Sequence, residues 1–213
     1  MKGLVGWWPI LETGGNKVYD YSKYNNTGTL TNMTGLTDFV AGNTRLGGRV
    51  LDFDGTDDYV TVADNSVFNS SSLTVCAWVR PDVLADYGQV LAKSSVLNSS
   101  EDFGLITRAD GTWSVQIGAG SGWRGSLSNG TWAHLCGTTD NTTQVQYQDG
   151  VNLGTASGVR AYNAAFPLLI GASPYTGSSI RFFNGVIDDV RIYNRALTAW
   201  EIMQLYVNPW QVF

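Results

Sequence analysis

Two adjacent aspartates, Asp188 and Asp189, stand in the otherwise apolar strand segment of GVIDDVRIYNRAL (185–197), where a carboxylate could bind a metal or pair with a cation but is not predicted to be a catalytic acid. Side chains alternate between faces in an extended chain, so Asp188 is predicted to point into a core with Val190, and Asp189 to point outward with Arg191. An ionised carboxylate buried without a partner costs several kcal/mol. We therefore expect Asp188 to face a cation, a set of N–H donors or an arginine, and Asp189 to pair with Arg191 at the surface.

Catalytic groups are sparse. Glycoside hydrolysis needs two carboxyl groups that flank the scissile bond, yet the three glutamates, Glu12, Glu101 and Glu201, are far apart and form no Glu-x-Asp-x-Glu pattern. The one histidine, His134, has no recognisable triad partner in sequence. Zinc and phosphate-loop motifs are missing as well. The sequence predicts that the protein is not an enzyme.

Aromatic side chains offer a different chemistry, because sugars stack on aromatic faces while a few polar groups set their orientation. The chain has eight tryptophans and ten tyrosines. Trp123 and Arg124 lie among glycines and serines in GAGSGWRGSLSNG (118–130), and Tyr175 lies in ASPYTGSS (172–179). We predict these three residues as ligand contacts, with Tyr87 as a weaker candidate. Four tryptophans in strand-like segments are assigned to the core: Trp7, Trp8, Trp78 and Trp132.

The elements that must position these residues are short strands. Apolar alternation recurs every 8–12 residues or so between clusters of Gly, Asn, Asp and Ser, which is typical of a β-sandwich. RADG and QDG are hairpin signals. One segment, ALTAWEIMQLYVN (196–208), is helical, with a capping box from Thr198 to Glu201 and Pro209 at its end. The pattern predicts an all-β, antiparallel two-sheet sandwich with one short C-terminal helix.

Composition excludes several classes of protein. The 213 residues carry a net charge of -5 and no basic run, so nucleic acid is not an expected partner. No segment approaches the roughly 20 apolar residues that membrane insertion requires, and no signal peptide is recognisable. The cysteines, Cys76 and Cys136, lie in apolar strand segments, which favours two small buried side chains, with a disulfide as the alternative.

A series of segments resembles one family. GLVGWWPILE, LDFDGTDDYVTV, LTVCAWVRP, WAHLCGTTD, LLIGAS and FNGVIDDVRIYNRALTAWEI occur in this order. Together they resemble the laminin-G-like domains of the concanavalin A-like lectin/glucanase superfamily, from about residue 3 to residue 206. The resemblance implies a jelly roll of two antiparallel sheets over residues 1–208, used in most members for non-catalytic binding of carbohydrate or protein.

The resemblance also implies structural calcium. DYSKYNNTG (20–28) is similar to a family loop that holds Ca²⁺ together with an aspartate of the late strand. Carried over, the metal set is Asp20, Asn25, Thr27 and Asp188. Lys23 and Tyr24 replace family residues that include a glycine, and glycine allows backbone conformations that Lys and Tyr resist. The alternative is that Asp20 and Asp188 accept hydrogen bonds from backbone N–H groups and Ser22 without metal. For a second acidic cluster, in DFDGTDDY, ordinary turn chemistry is favoured.

These observations predict a lectin-like domain that binds a glycan or surface polysaccharide through loops 118–130 and 172–179. The alternative is an accessory (decoration) protein of a viral or phage particle, whose partners are other virion or self subunits. Its aromatic tail, 209–213, holds Trp210 and Phe213, which are expected to dock either on the domain itself or on a neighbouring subunit. The expected location is extracellular or on a virion surface.

Overall fold

A computed structural model describes residues 2–42, 48–94, 101–117, 122–160, 166–174 and 180–211. The strands are β1 Leu4–Trp8, β2 Lys17–Val18, β3 Gly28–Thr31, β4 Phe39–Gly42, β5 Gly48–Asp54, β6 Tyr59–Val62, β7 Leu73–Val83, β8 Gly88–Ser94, β9 Glu101–Thr107, β10 Trp113–Ile117, β11 Ala133–Thr139, β12 Thr143–Gln148, β13 Val151–Ser157, β14 Leu168–Ile170, β15 Ala172–Pro174, β16 Ile180–Phe182 and β17 Asn184–Tyr193. A 3-10 turn spans Ser66–Phe68, and the α-helix α1 spans Ala199–Val207.

Two antiparallel sheets contain most of these strands. The first has eight strands in the order β13-β12-β11-β7-β17-β5-β4, with β1 also paired to β17. The second has seven strands in the order β10-β9-β8-β14-β6-β3-β2, and β15 and β16 form a separate hairpin. The predicted all-β two-sheet sandwich with one C-terminal helix is confirmed.

The main core lies between the sheets and takes side chains from both, such as Val75 and Val79 of β7 and Leu91 and Leu105 on the other sheet. A smaller cluster covers the outer face of the eight-stranded sheet, where Ile202 and Leu205 of α1 are buried. The predicted capping box between Thr198 and Glu201 is present. This nine-residue helix is too short to cross a membrane, and no other helix in the described ranges could do so.

The two aspartates of β17 do not have the predicted orientations, because β17 contains a β-bulge. The pairing of β17 with β7 shifts register between Asp188 and Arg191, and Asp189 there takes a left-handed φ of 48°. The extra residue resets the alternation, so Ile187 and Val190 both point into the main core. Asp188 pairs with Trp78 on the opposite face, under the helix side of the sheet.

Asp189 is not a surface residue, contrary to the prediction, because it and Arg191 form a buried ion pair, each side chain 1% exposed. Arg191 Nε donates to Asp189 Oδ1 at 2.8 Å, and Trp7 Nε1 donates to the same oxygen at 2.6 Å. Burial raises the pKa of Asp189, and the Arg191 guanidinium opposes that rise. Two donors to one carboxylate oxygen are the compensation that a buried charge requires.

The C-terminal tail docks on its own domain over residues 209–211. The guanidinium of Arg191 donates to the carbonyls of Pro209 and, at 2.7 Å, of Gln211. The Trp210 ring lies edge-on to Trp7, with 6.3 Å between ring centroids. One buried arginine therefore joins β17, β1 and the tail. Phe213, the other tail aromatic, lies outside the described residues.

The cysteines are bonded, so the favoured reading of two free buried thiols is wrong. Cys76 of β7 and Cys136 of β11 are directly opposite each other, with a Cα–Cα separation of 4.2 Å, and form a disulfide. Side chains directly opposite each other on paired antiparallel strands lie on the same face of the sheet and are within reach of each other. The bond lies fully buried on the helix-covered face.

Candidate ligand-binding site

A seam of three glutamines fixes the edge of the sandwich next to loop 118–130. Gln144, Gln146 and Gln148 alternate along β12 and share a face. Gln144 donates to the Ile117 carbonyl, and Gln146 donates to the Trp113 carbonyl at 2.8 Å. The edge strand β10 of one sheet is therefore tied to β12 of the other.

The segment that carries Trp123 extends this edge. Trp113 and Arg124 exchange two backbone hydrogen bonds, each 2.9 Å. Gln148 Oε1 accepts from Trp113 Nε1 and from the Ser126 N–H, both at 3.1 Å, and Gln148 Nε2 donates to the Ser126 carbonyl at 2.9 Å. Gly125 has φ 75°, and a Cβ there would meet the Gln148 and Trp113 side chains. The loop therefore has a defined path at this point.

Sheet register brings four side chains together at one end of the seven-stranded sheet. Gly88 of β8 pairs with Thr107 of β9, which in turn pairs with Trp113 of β10. Tyr87, which precedes β8, and Arg108, which follows β9, are consequently neighbours. Trp123 joins them through the bridge between Trp113 and Arg124. Arg181 comes from β16, the hairpin strand that packs near β8.

We call Tyr87, Arg108, Trp123 and Arg181 the aromatic–arginine cluster. The Arg108 guanidinium carbon lies 3.8 Å from the centroid of the half-buried Trp123 ring and 5.8 Å from that of Tyr87. The Arg181 guanidinium carbon lies 4.0 Å from the centroid of the Tyr87 ring. Trp123 and Tyr87 meet edge to face with centroids 6.0 Å apart. These cation–π and aromatic contacts hold the rings in place at an accessible surface.

An open cleft of about 350 Å³ adjoins the cluster and is lined by Asp86, Tyr87, Arg108, Ala109 and Asp110. Asp86 Oδ1 accepts the Ala109 N–H at 3.2 Å and so links the loop before β8 to the β9–β10 turn. Asp110 Oδ1 accepts from Thr112 Oγ1 at 2.6 Å and from Thr112 N at 2.9 Å. These hydrogen bonds lower the pKa of Asp110, so its carboxylate is ionised at neutral pH. The cleft thus combines one aromatic ring, that of Tyr87, with carboxylate acceptors and a guanidinium donor.

The predicted ligand contacts are only partly brought together. Trp123 belongs to the cluster, whereas the adjacent Arg124 reaches β13, where its Nη2 donates to the Thr155 carbonyl at 3.0 Å. Tyr175 lies outside the described residues. Sequence reasoning missed Arg108, Arg181 and the two cleft aspartates. Arg108 could have been identified from the RADG hairpin turn, because that turn places it at a strand end.

The predicted calcium loop holds Asp20 in a cage of hydrogen-bond donors. Asp20 Oδ1 accepts from the N–H groups of Trp7 at 2.9 Å and Ser22 at 2.8 Å, and Oδ2 accepts from Ser22 Oγ and Asn26 N, both at 2.8 Å. Hydrogen atoms face both oxygens, an arrangement that suits a carboxylate without a bound cation. Asp20 therefore accepts hydrogen bonds from backbone N–H groups and from Ser22, as the alternative without metal expects.

The backbone of this loop also shows how Lys23 and Tyr24 are accommodated where the family has a glycine. The left-handed residue is Asn25, with φ 55°, rather than Lys23 or Tyr24. Asn tolerates this conformation well. The Asn25 carbonyl accepts the Thr27 N–H at 2.8 Å, and Asp188 Oδ1 accepts the N–H of its neighbour Asp189 at 2.7 Å. Calcium binding stays a prediction of the family resemblance.

The second acidic cluster is a turn, as favoured from sequence. Asp54, Asp57 and Asp58 have carboxylate oxygens within 4.8 Å of one another. Asp54 Oδ1 accepts the N–H groups of Thr56 at 2.7 Å and Asp57 at 3.2 Å. Asp58 Oδ2 accepts the Asp54 N–H at 3.1 Å. These are the side-chain-to-backbone bonds of ordinary Asp turns.

Solved structures share this fold. Domain 4 of AbnA, a GH43 extracellular arabinanase from Geobacillus stearothermophilus in complex with arabinotriose, is 19% identical with a TM-score of 0.72, and the match covers 95% of this chain and 98% of that domain. Trypanosoma rangeli sialidase in complex with sialic acid is 20% identical with a TM-score of 0.72, over 97% of this chain and 33% of the enzyme. The binding domain of botulinum neurotoxin DC, in complex with rat synaptotagmin II, is 14% identical with a TM-score of 0.69, over 96% and 51%.

At these identities the likeness establishes the fold alone, and the chain spans about a third of the length of the sialidase. No curated protein sequence matches the chain. A laminin-G-like family model, described as the concanavalin A-like lectin/glucanases superfamily, matches residues 54–203. That match covers well over half of the sequence and includes β6 to β17 and most of α1. The chain belongs to the concanavalin A-like lectin/glucanase superfamily.

Proposed function

We propose that this protein is a non-catalytic glycan-binding domain and that the aromatic–arginine cluster with its adjoining cleft is the binding site. The observation that carries the proposal is the half-buried Trp123 ring, fixed by Arg108 at 3.8 Å beside a cleft with both carboxylate and guanidinium groups. Sugar recognition uses this combination of an aromatic face and a few oriented polar groups. The arabinotriose complex of the AbnA domain supports a glycan ligand for a domain of this shape.

A non-catalytic role is supported by the positions of the described glutamates. Glu12 Oε1 accepts the Tyr19 N–H at 3.0 Å. Glu201 forms the helix capping box and an ion pair with Arg195 at 2.6 Å. Both carboxylates therefore have structural partners, and neither belongs to the cluster. The side chain of Glu101 is outside the described atoms.

The test is affinity electrophoresis against arabinan and a panel of soluble plant and bacterial surface polysaccharides, followed by titration calorimetry with arabinotriose and with oligosaccharides of any retarding polymer. Trp123→Ala and Tyr87→Ala are each expected to weaken binding about tenfold, because a lost stacking contact is worth about 1.5 kcal/mol. Trp123→Phe keeps an aromatic face and is expected to retain most of the affinity.

The matched control is Trp200→Ala, since Trp200 is 64% exposed on α1, the helix that covers the outer face of the eight-stranded sheet. Circular dichroism and the melting temperature verify that each variant is folded. Binding that survives both Trp123→Ala and Tyr87→Ala would place the site elsewhere, and no retardation by any polymer would reject the proposed function.

A further inference from the structure

The charges around the cleft carry information about the ligand. Two of its five lining residues, Asp86 and Asp110, are acidic, and one, Arg108, is basic. Asp86 and Asp110 are held by hydrogen bonds from Ala109 and Thr112, so neither depends on a ligand for its position. A ligand in the cleft meets two fixed carboxylates.

The two arginines near the cleft both contact aromatic rings of the cluster. Arg108 lies over Trp123 at 3.8 Å and favours the ionised form of Asp110. Arg181 lies over Tyr87 at 4.0 Å. The lining itself holds one guanidinium against two carboxylates, and adding Arg181 of the cluster only balances them, so no net positive charge attracts an anion. A carboxylated or sulfated sugar would have to approach like charges at short range, which opposes binding.

Hydroxyl groups suit this lining. Carboxylate oxygens accept O–H donors, and adjacent hydroxyls on one sugar ring can both donate to a single carboxylate, while guanidinium N–H groups donate to hydroxyl and ring oxygens. The cleft, about 350 Å³, is at the small end of the range for small-molecule sites. It has room for a terminal sugar or a short oligosaccharide segment.

We propose that the cleft selects neutral glycans through vicinal hydroxyl groups and discriminates against acidic ones such as uronic, sialic or sulfated sugars. This selectivity rests on the proposed function and names the ligand class of the same site. Asp110 and Asp86 accept the sugar hydroxyls, and Tyr87 in the lining, together with the adjoining Trp123, supplies the aromatic surface.

The experiment compares neutral oligosaccharides with carboxylated and sulfated oligosaccharides of matched length on one array, followed by calorimetry at low and high salt. Asp86→Asn and Asp110→Asn keep the side-chain oxygen that accepts from Ala109 or Thr112, so both variants are expected to fold. Each should weaken neutral binding about tenfold, because a hydrogen bond to a charged group is replaced by one to a neutral amide. Each should also reduce the discrimination against acidic glycans.

Asp57→Asn is the control, since Asp57 is an exposed acid on a different turn. A wild-type preference for acidic glycans that depends on Trp123 would overturn the inference and leave the proposed function standing. Neutral binding that is unchanged in both Asp86→Asn and Asp110→Asn would also overturn it. Absence of binding to every glycan would reject both.

Discussion

The disulfide offers a prediction whose size follows from the chain. Cys76 and Cys136 are 60 residues apart, and by the loop-closure relation a cross-link of that span lowers the entropy of the unfolded chain by an amount worth about 4 kcal/mol at 25 °C. Each kcal/mol corresponds to about 2–4 °C in a domain of this size. Loss of the bond should therefore lower the melting temperature by roughly 8–16 °C.

The measurement is guanidinium unfolding, followed by fluorescence and circular dichroism. Because both sulfur atoms are buried under α1, the protein is reduced in denaturant and refolded with reductant, and thiol titration confirms two free cysteines. The control passes through the same cycle without reductant. The Cys76→Ala/Cys136→Ala variant should resemble the reduced protein, with about 1 kcal/mol of further loss from the missing sulfur contacts. A reduced protein within 1 kcal/mol of the oxidised one would refute the loop-closure argument.

Three further predictions concern buried or capped charges. Arg191→Met leaves the buried Asp189 carboxylate without its cation and should lower the free energy of unfolding by about 3–5 kcal/mol at pH 7. The loss should be smaller at pH 4, because burial favours the protonated form of Asp189, and Asp189→Asn/Arg191→Met should recover part of the stability. Denaturant midpoints at both pH values check this, and an equal loss at both would contradict it. The hydrogen bond from Arg195 lowers the pKa of Glu201 from 4.5 to about 2, so the capping box should contribute fully above pH 4.5 and fade as the pH falls toward 2. Glu201→Gln should lower the free energy of unfolding by about 1 kcal/mol at pH 7, after allowance for solvent screening. It should also flatten the fall in stability between pH 4.5 and pH 2, and an unchanged fall in the variant would count against this role of Glu201. The donor cage around Asp20 predicts a melting temperature that is the same in excess calcium and excess chelator, whereas calcium held by the Asp20 loop predicts a clear rise with the ion.

The features that sequence predicted well are local or periodic. The sandwich follows from alternating apolar residues, and the capping box follows from two residues three apart. The Asp20 cage was anticipated as an alternative because a buried carboxylate needs partners, and the nearest N–H groups and Ser22 are close in sequence.

The features that it missed depend on pairing between distant segments. Strict alternation placed Asp189 at the surface, but a single extra residue in the β-bulge reverses the alternation and buries it with Arg191. The disulfide requires the register of β7 against β11, which no local pattern reveals. The aromatic–arginine cluster draws on four separate segments, so only Trp123, and more weakly Tyr87, could be identified from composition.

The contacts of β17 determine where the chain enters and leaves the fold. Arg195, just after β17, donates to the Lys2 carbonyl at 3.0 Å, and Arg191 within the strand binds the carbonyls of Pro209 and Gln211. Entry and exit points thus sit beside the same strand. A unit with this geometry can be spliced into an exposed loop of a carrier protein through two short linkers, without stretching or crossing the host chain. It would serve as a transplantable module.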